Sequence, residues 1–400
     1  MSPFLKLSAA GFAATASSYG PARMGFGLFL AQFKESFGIS TTMAGLISGG
    51  GFAGFLLGLI GAYAATAWRG PRLPVIVGLA FATIGMIIVA MAPNAGILAL
   101  GVILAMTSAG FGWSPYNNAV HQQVAEGLRP RSLSIVSTGT SLGAAMAGAV
   151  ALALMLGGAS WRIAWVAFAA AGLAALIGNL VAMRDVAGNP GRGRTNWRAI
   201  CVMPALPLYL TALSFGITTT IYISFATDRV AQAGGLAGLP DRGSPAVMFI
   251  IYGIAGLAAL GTAAIKDRTG LALLVRGLLL VSALSLALIA LSPNSWIGVG
   301  AASALQGIFV MMMSAVLAFW SERLFPELPS FSFTATLLAV AVGSVVGPAL
   351  AGFLSNAFSS GAMFLGAAAL SGVTAIGMIP RLIREDPLDC GQDASPVPAQ

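Results

Sequence analysis

Residues 73–92 read LPVIVGLAFATIGMIIVAMA, twenty positions without a charge, closed by Pro93-Asn94. A helix of about 20 apolar residues crosses the roughly 30 Å of a bilayer's hydrocarbon, and a Pro-Asn pair ends it in a turn. The stretch predicts a transmembrane helix. Working outward, comparable stretches recur at roughly 4–32, 41–67, 95–122, 132–157, 162–183, 200–227, 246–265, 271–291, 295–320, 331–355 and 359–380. Turn clusters at Gly157-Gly158, Pro293-Asn294 and Ser359-Ser360-Gly361 divide several of them. The short alternating segments of an outer-membrane barrel are not seen. Twelve predicted spans define an all-α membrane protein.

Composition agrees. Of 400 residues, 58% are hydrophobic and only 8% charged, where soluble domains carry about 25% charged residues. Mean hydropathy is +0.90. A soluble enzyme, a disordered chain and a nucleic-acid binder are excluded on these values. The net charge of +8 therefore has to sit in loops, and the 51 glycines suit helices packed closely in lipid. Cys201 and Cys390 make no metal-spaced pair and no disulfide framework. With His121 the single histidine, neither a zinc site nor a histidine triad is expected, and no cofactor.

Cytoplasmic loops carry an excess of Lys and Arg. With the N-terminus inside, the inner segments hold Lys6, Arg69, Arg72, Arg129, Arg131, Arg184, Arg192, Arg194, Arg198, Lys266, Arg268, Arg276, Arg323, Arg381 and Arg384. The outer ones hold Lys34, Arg162, Arg229 and Arg242, and Arg23 lies within a span. An even number of spans with both termini cytoplasmic follows. The first segment has the charge and small residues of a signal peptide, but its counterpart in the second half argues that it is retained.

That counterpart belongs to a repeat. Pro93-Asn94 matches Pro293-Asn294, and Gly70 matches Gly270. Gly139, Gly143 and Gly148 match Gly343, Gly347 and Gly352 with the same spacing. Thr15-Ala16-Ser17-Ser18-Tyr19-Gly20 matches Thr211-Ala212-Leu213-Ser214-Phe215-Gly216. Four matches in one order, at offsets of 196 to 204, predict two pseudo-symmetric six-helix bundles. They run over 1–183 and 199–382, joined by a polar cytoplasmic linker at 184–198 and followed by a disordered tail at 383–400. Parallel repeats of this kind are a transporter design, with substrate held between them near the midplane.

On these residues the chain resembles the major facilitator superfamily of secondary transporters. That family's Asp-Arg-x-Gly loop is matched by Lys266-Asp267-Arg268-Thr269-Gly270. A decayed first copy stands at Ala67-Trp68-Arg69-Gly70-Pro71-Arg72, with Ala67 in place of the acid. The resemblance implies a gating role for Asp267, Arg268, Gly270 and Arg69. Gly343-x3-Gly347-Pro348-x3-Gly352 is similar to the family's glycine-proline helix, though the first-half copy lacks the proline. An arginine the family expects near Ala105-Met106 is missing. Gly110-Phe111-Gly112-x2-Pro115 and Leu128-Arg129-Pro130-Arg131-Ser132 resemble carboxylate-transporting branches, and Tyr19 to Gly27 resembles a bacterial subgroup.

Arg23 is the main candidate for a substrate-binding residue. A charge inside a membrane span is expensive and by default functional, and no acid lies in any predicted span to pair with it. The competing reading is snorkelling to the outer interface. Tyr19 lies one turn away on the same face. A free guanidinium suits a carboxylate or phosphate-like group. Further candidates are Trp113, Asn117, Thr219, Tyr222 and Gln306, each weighed against ordinary packing, interhelical bonding or backbone bonding. The methionines 311–313 read as gap fillers, His121 as interfacial, and 228–245, with Asp228, Arg229, Asp241 and Arg242, as an outer loop. The function expected is not enzymatic. It is alternating-access transport of a small organic anion, a carboxylate, by exchange or proton symport. The alternative is export of lipophilic compounds on the same fold. Expected partners are the small-molecule substrate, the lipid bilayer and protons, with no nucleic acid. The chain is expected as a monomer in a bacterial inner membrane.

Overall fold

The computed structural model describes residues 2–186, 203–240, 242–326 and 329–384, without the side chains of 114 and 329–331. Most of the linker (Arg192, Arg194 and Arg198 included), both cysteines, Asp241 and the tail from Glu385 lie outside the described residues.

The described chain is helical. The first apolar segment is not one helix. It runs as α1 (Pro3–Ser17), a π-helical turn at Ser18–Ala22, α2 (Arg23–Leu28) and α3 (Leu30–Phe37). Then follow α4 (Thr41–Arg69), α5 (Arg72–Met91), α6 (Ala95–Gly110), α7 (Trp113–Gln123), α8 (Arg129–Leu156) and α9 (Trp161–Ala182). Beyond the linker come α10 (Leu206–Gln232), α11 (Ser244–Gly256), α12 (Thr262–Thr269), α13 (Leu271–Leu291), α14 (Trp296–Leu324), α15 (Pro329–Ala357) and α16 (Ser360–Gly377). Among the described residues, 11 helical stretches are long and apolar enough to cross a membrane. The first segment is not among them; its longest piece, α1, has 15 residues. Large apolar side chains face outward on these helices, Ile297 at 85% exposure and Met91 at 74%. Surfaces of that kind require lipid rather than water.

The breaks have local causes. Pro21 cannot donate to the carbonyl of Ser17, and its ring crowds it, so the turn there widens. Pro115 does the same to the carbonyl of Phe111, which separates α6 from α7. Turn residues cap the helices as their chemistry demands. Ser40 Oγ accepts from Met43 N at 3.1 Å and Asn94 Oδ1 from Ile97 N at 3.0 Å. In the second Pro-Asn turn the cap has moved one residue on, to Ser295, which accepts from Gly298 N at 3.2 Å.

The sequence repeat has a geometric counterpart. Gly139 and Gly143 pack on the backbone of the first segment, whereas Gly148 meets Ala246 and Ile250 beyond the linker. Gly343 and Gly347 pack on α10, whereas Gly352 meets Thr41 and Gly45 before it. Each row thus grips its own side with two glycines and crosses with the third. Gly70 and Gly270 both end a helix at positive φ, 77° and 78°. Arg162 donates to the carbonyls of Ala90 and Ala92 at 2.8 Å, neutralising the end of α5. Arg229 does this at Ala290 at 3.0 Å, at the end of α13, from a different helix.

The bundle has two ends, defined by their contacts. One, here the near end, joins Lys6 to Asp185 at 3.0 Å and Trp320 to the Arg384 carbonyl at 2.9 Å. The far end joins Trp161 to Ser36, Ser360 to Gln232 and Arg242 to Glu35. Hydrogen bonds between the parts before and after the linker concentrate at the far end. Lys34 Nζ lies 2.7 Å from Asp228 Oδ2, Thr227 Oγ1 donates to Gly27 O at 2.5 Å, and Ser48 and Ser224 share one at 2.6 Å. Asn356 Nδ2 donates to Thr42 Oγ1 at 2.5 Å.

One expectation is overturned here. α10 runs on to Gln232, so Asp228 and Arg229 are helical rather than part of an outer loop. Asp228 is buried. The chain therefore does carry an acid within an apolar helix, contrary to the sequence reading. No glycine or proline interrupts residues 217–233, so nothing in the backbone stops the helix where the charges begin.

Candidate functional site

Arg23 begins α2, immediately after the π turn. It is half-buried, and its Nε is buried without a hydrogen-bond partner. Asp228 does not pair with it, since that carboxylate is held by Lys34 and by Gln232 Nε2 at 2.8 Å. Three rings surround the guanidinium instead. Its Cζ is 4.8 Å from the centroid of Phe55, 5.3 Å from Phe52 and 5.4 Å from Tyr19. Cation–π contacts hold the charge in place but leave its fork of N–H donors free. The guanidinium lies back over Tyr19, the preceding turn, so it does not snorkel toward the far end.

The opposite face of the same segment is anchored. Gly25 lets Trp165 close against the backbone. Phe33 packs on Trp161 at 5.0 Å, and Phe29 on Trp165 and Phe168 at 6.1 and 6.2 Å. These rings fix the broken segment against α9, which fixes the direction of Arg23. Trp113 is half-buried in one cluster with Tyr19, Phe55, Leu59 and Ala109, beside the Phe111-Gly112 break. Two interrupted helices thus meet at Tyr19, the setting in which irregular backbone occurs at membrane depth.

Beyond the linker the candidates separate by hydrogen bonding. Thr218 and Thr220 donate to their own helix, at Ser214 O (2.8 Å) and Gly216 O (2.7 Å). Thr219 between them is buried with no partner for its hydroxyl. Tyr222 donates to Ser303 Oγ at 3.0 Å. Gln306 is fully buried, and neither atom of its amide has a partner. Tyr252, absent from the sequence candidates, stacks on Tyr222 at 6.3 Å with its own hydroxyl buried and unpartnered. α2, which begins at Arg23, packs against α10 and α11, so the two sides of the site adjoin.

Other candidates lie apart. Asn117 is exposed on α7, whereas its neighbour Tyr116 is buried and bonded to Asn179. Arg69 stacks on Trp68, Asp267 pairs with Lys266 at 3.3 Å, and Arg268 is exposed. His121 is exposed, and Met312 and Met313 fill the core. Sequence reasoning missed Tyr252, Phe52, Phe55 and Ser303. Nothing marks them among so many aromatic and small residues until the helices are assembled.

The threonine pattern carries a prediction. Thr219→Val should weaken substrate binding about fivefold to thirtyfold, the effect of about 1–2 kcal/mol for one polar contact. Thr218→Val should leave binding unchanged. Dissociation constants measured on the two purified variants check this, and equal effects would remove Thr219 from the site.

Two interrupted helices meet beside a half-buried cation, and the helices packed across from them bury further polar groups without partners. The chain belongs to the Major Facilitator Superfamily, whose profile matches residues 8–302. No curated protein matches the sequence. Solved structures share the fold at low identity. The nucleoside transporter NupG superposes with a TM-score of 0.70 at 12% identity, covering 94% of this chain and 98% of that one. A peptide transporter POT in complex with sulfate gives 0.79 at 15%, covering 95% and 94%. A POT family transporter in complex with 5-aminolevulinic acid gives 0.75 at 15%, covering 95% and 96%. The chain is thus a multi-pass membrane transporter.

Proposed function

We propose that this chain moves a small organic anion, a carboxylate, by alternating access between two six-helix bundles of twelve spans. The bundles are 1–183 and 199–382, and both termini are cytoplasmic in a bacterial inner membrane. The observation that carries the reading is Arg23, a half-buried guanidinium with no acid and no hydrogen bond among the described residues. A planar fork of donors held by rings complements a carboxylate. The named ligands of two structural relatives, sulfate and 5-aminolevulinic acid, both carry oxyanions, which agrees with this choice.

Coupling follows from charge. A carrier without cargo has to bury an uncompensated cation as it reorients, which is costly. With a carboxylate bound the site is neutral. The carrier therefore reorients best with cargo in both directions, which favours exchange over symport with a proton. The far-end contacts around Lys34–Asp228 act as the outer gate in this scheme, leaving entry from the near, cytoplasmic end. Asp267 and Arg268 in α12, Gly270 just after it and Arg69 at the end of α4 stand at the helix ends that would close it.

The three rings around Arg23 would also suit a flat apolar cargo, so an exporter of lipophilic compounds is the second reading. A thermal-shift screen of purified protein against small carboxylates, inorganic anions and lipophilic cations separates them. A ligand at 100 times its dissociation constant adds about 2.7 kcal/mol to the folded state. Stabilisation by carboxylates supports the anion reading. Stabilisation by lipophilic compounds alone replaces it with the exporter.

A further inference from the structure

The part of the site beyond the linker holds more unpartnered polarity than an anion needs. Both amide atoms of Gln306 and the hydroxyl of Tyr252 are buried with no hydrogen bond. A glutamine in a lipid-embedded helix ordinarily bonds across to a neighbouring helix, because a buried polar group left alone is costly. The neighbours here are already committed. Ser303, one turn before Gln306, donates to Val299 O at 2.8 Å and accepts from Tyr222. Tyr222 is thereby fixed, and its ring lies nearly parallel to that of Tyr252, at 18°. Gly307 lets α14 close on the backbone of Tyr252, since a Cβ there would collide with that residue's carbonyl. This contact carries Gln306 and Tyr252 into one neighbourhood, on α14 and α11, and α11 in turn packs against α2.

Resting on the anion reading above, we propose that Gln306 and Tyr252 form a second subsite for a planar amide-like edge, so that the cargo is a small carboxylate bearing a carboxamide, ureido or lactam group. The chemistry selects this class. A glutamine amide presents a donor and an acceptor side by side in one plane, and the matching edge is another amide or a heterocyclic lactam. A lone hydroxyl could bridge the two atoms only through bent, weaker bonds, whereas an amide edge meets both in plane. The Tyr252 hydroxyl supplies a third contact, and the tyrosine faces suit a flat group. An apolar tail would leave all three atoms unpaired, and sites built to hydrogen-bond discriminate strongly against such analogues.

Succinamate and levulinate are isosteric probes, differing by an amide nitrogen against a methyl. Orotate and benzoate form a second pair with a ring. Dissociation constants are measured on the purified full-length protein. The expected result is that each amide-bearing acid binds at least tenfold tighter than its partner. Gln306→Leu should erase that preference while keeping the weaker binding of levulinate, and Tyr252→Phe should reduce it about threefold. Equal binding within both pairs, or a preference that survives Gln306→Leu, overturns the second subsite and leaves the anion reading standing. Binding of none of the four acids, or binding indifferent to Arg23→Gln, overturns the anion reading and this proposal with it.

Discussion

Arg23→Gln is expected to abolish carboxylate binding, lowering affinity about a hundredfold or more, while the protein folds normally. Truncating one partner of a buried, hydrogen-bonded charge pair costs about 2–5 kcal/mol, and each 1.4 kcal/mol is tenfold. The fold should tolerate the change because Arg23 supports no hydrogen bond or ion pair among the described residues. What it gives up is its contact with Phe52, Phe55 and Tyr19, about 0.5–1 kcal/mol each where exposed and about 2 kcal/mol where desolvated. Against that loss stands the removal of an uncompensated charge from an apolar site, which is itself stabilising. The melting temperature without ligand should therefore stay level or rise. Arg23→Lys keeps the charge and loses the planar fork, so it should bind about tenfold more weakly than the wild type. Isothermal titration and thermal melting of the three proteins check these values. A glutamine variant that melts early and binds normally would make Arg23 a structural residue and favour the exporter reading.

Asp228→Asn is expected to unlatch the far end. Lys34 and Asp228 have side-chain exposures of 19% and 7%, and their ion pair bridges the first segment and α10. Thr41 accepts from the same Lys34 nitrogen at 2.9 Å, and Gln232 donates to the same carboxylate oxygen. Removing one partner of a buried pair costs about 3–5 kcal/mol because the other charge is left unpaired. If only the far-closed state makes the pair, that state loses about two to three and a half powers of ten in population. Cysteines placed at Glu35 and Arg242, joined by a short bifunctional thiol crosslinker that replaces the reach of the two long side chains, read the closure directly. These side chains already touch and are exposed, and the ion pair they lose is worth about 0–1 kcal/mol. Crosslinking should be fast with Asp228 present and at least tenfold slower in the Asp228→Asn variant. Combining Asp228→Asn with Lys34→Met leaves no stranded charge and should recover much of the rate. Equal crosslinking in all backgrounds would show that the ion pair does not hold the gate.

The boundaries of the helices were legible wherever a turn residue marks them. Asn94 and Gly70 act where their chemistry places them, as an N-cap and a positive-φ terminator. The repeat was legible too, because the constraint it records is steric. Gly143 and Gly347 must let a helix from their own side close in, and only glycine allows it. Asp228 was misplaced because charge was taken as the end of the span. Within a protein a charge ends a helix only if nothing in the fold can neutralise it, and Lys34, far away in sequence, does so.

The site divides in the same way. Arg23 announced itself because a charge among apolar residues is costly in lipid whatever surrounds it. Thr219 could not be told from Thr218 and Thr220 by sequence, since all three have the same chemistry. Which hydroxyl bonds its own backbone and which is left without a partner is settled by the neighbouring helix. Tyr252 and Tyr222 carry equal phenols, yet Ser303 binds one and leaves the other unpartnered. The sequence by itself determined that the chain spans a membrane, repeats itself and carries a cation within an apolar span, because hydropathy, glycine spacing and charge are local quantities. Only the tertiary structure decided which polar groups are satisfied, since a hydrogen bond depends on where the partner stands in space.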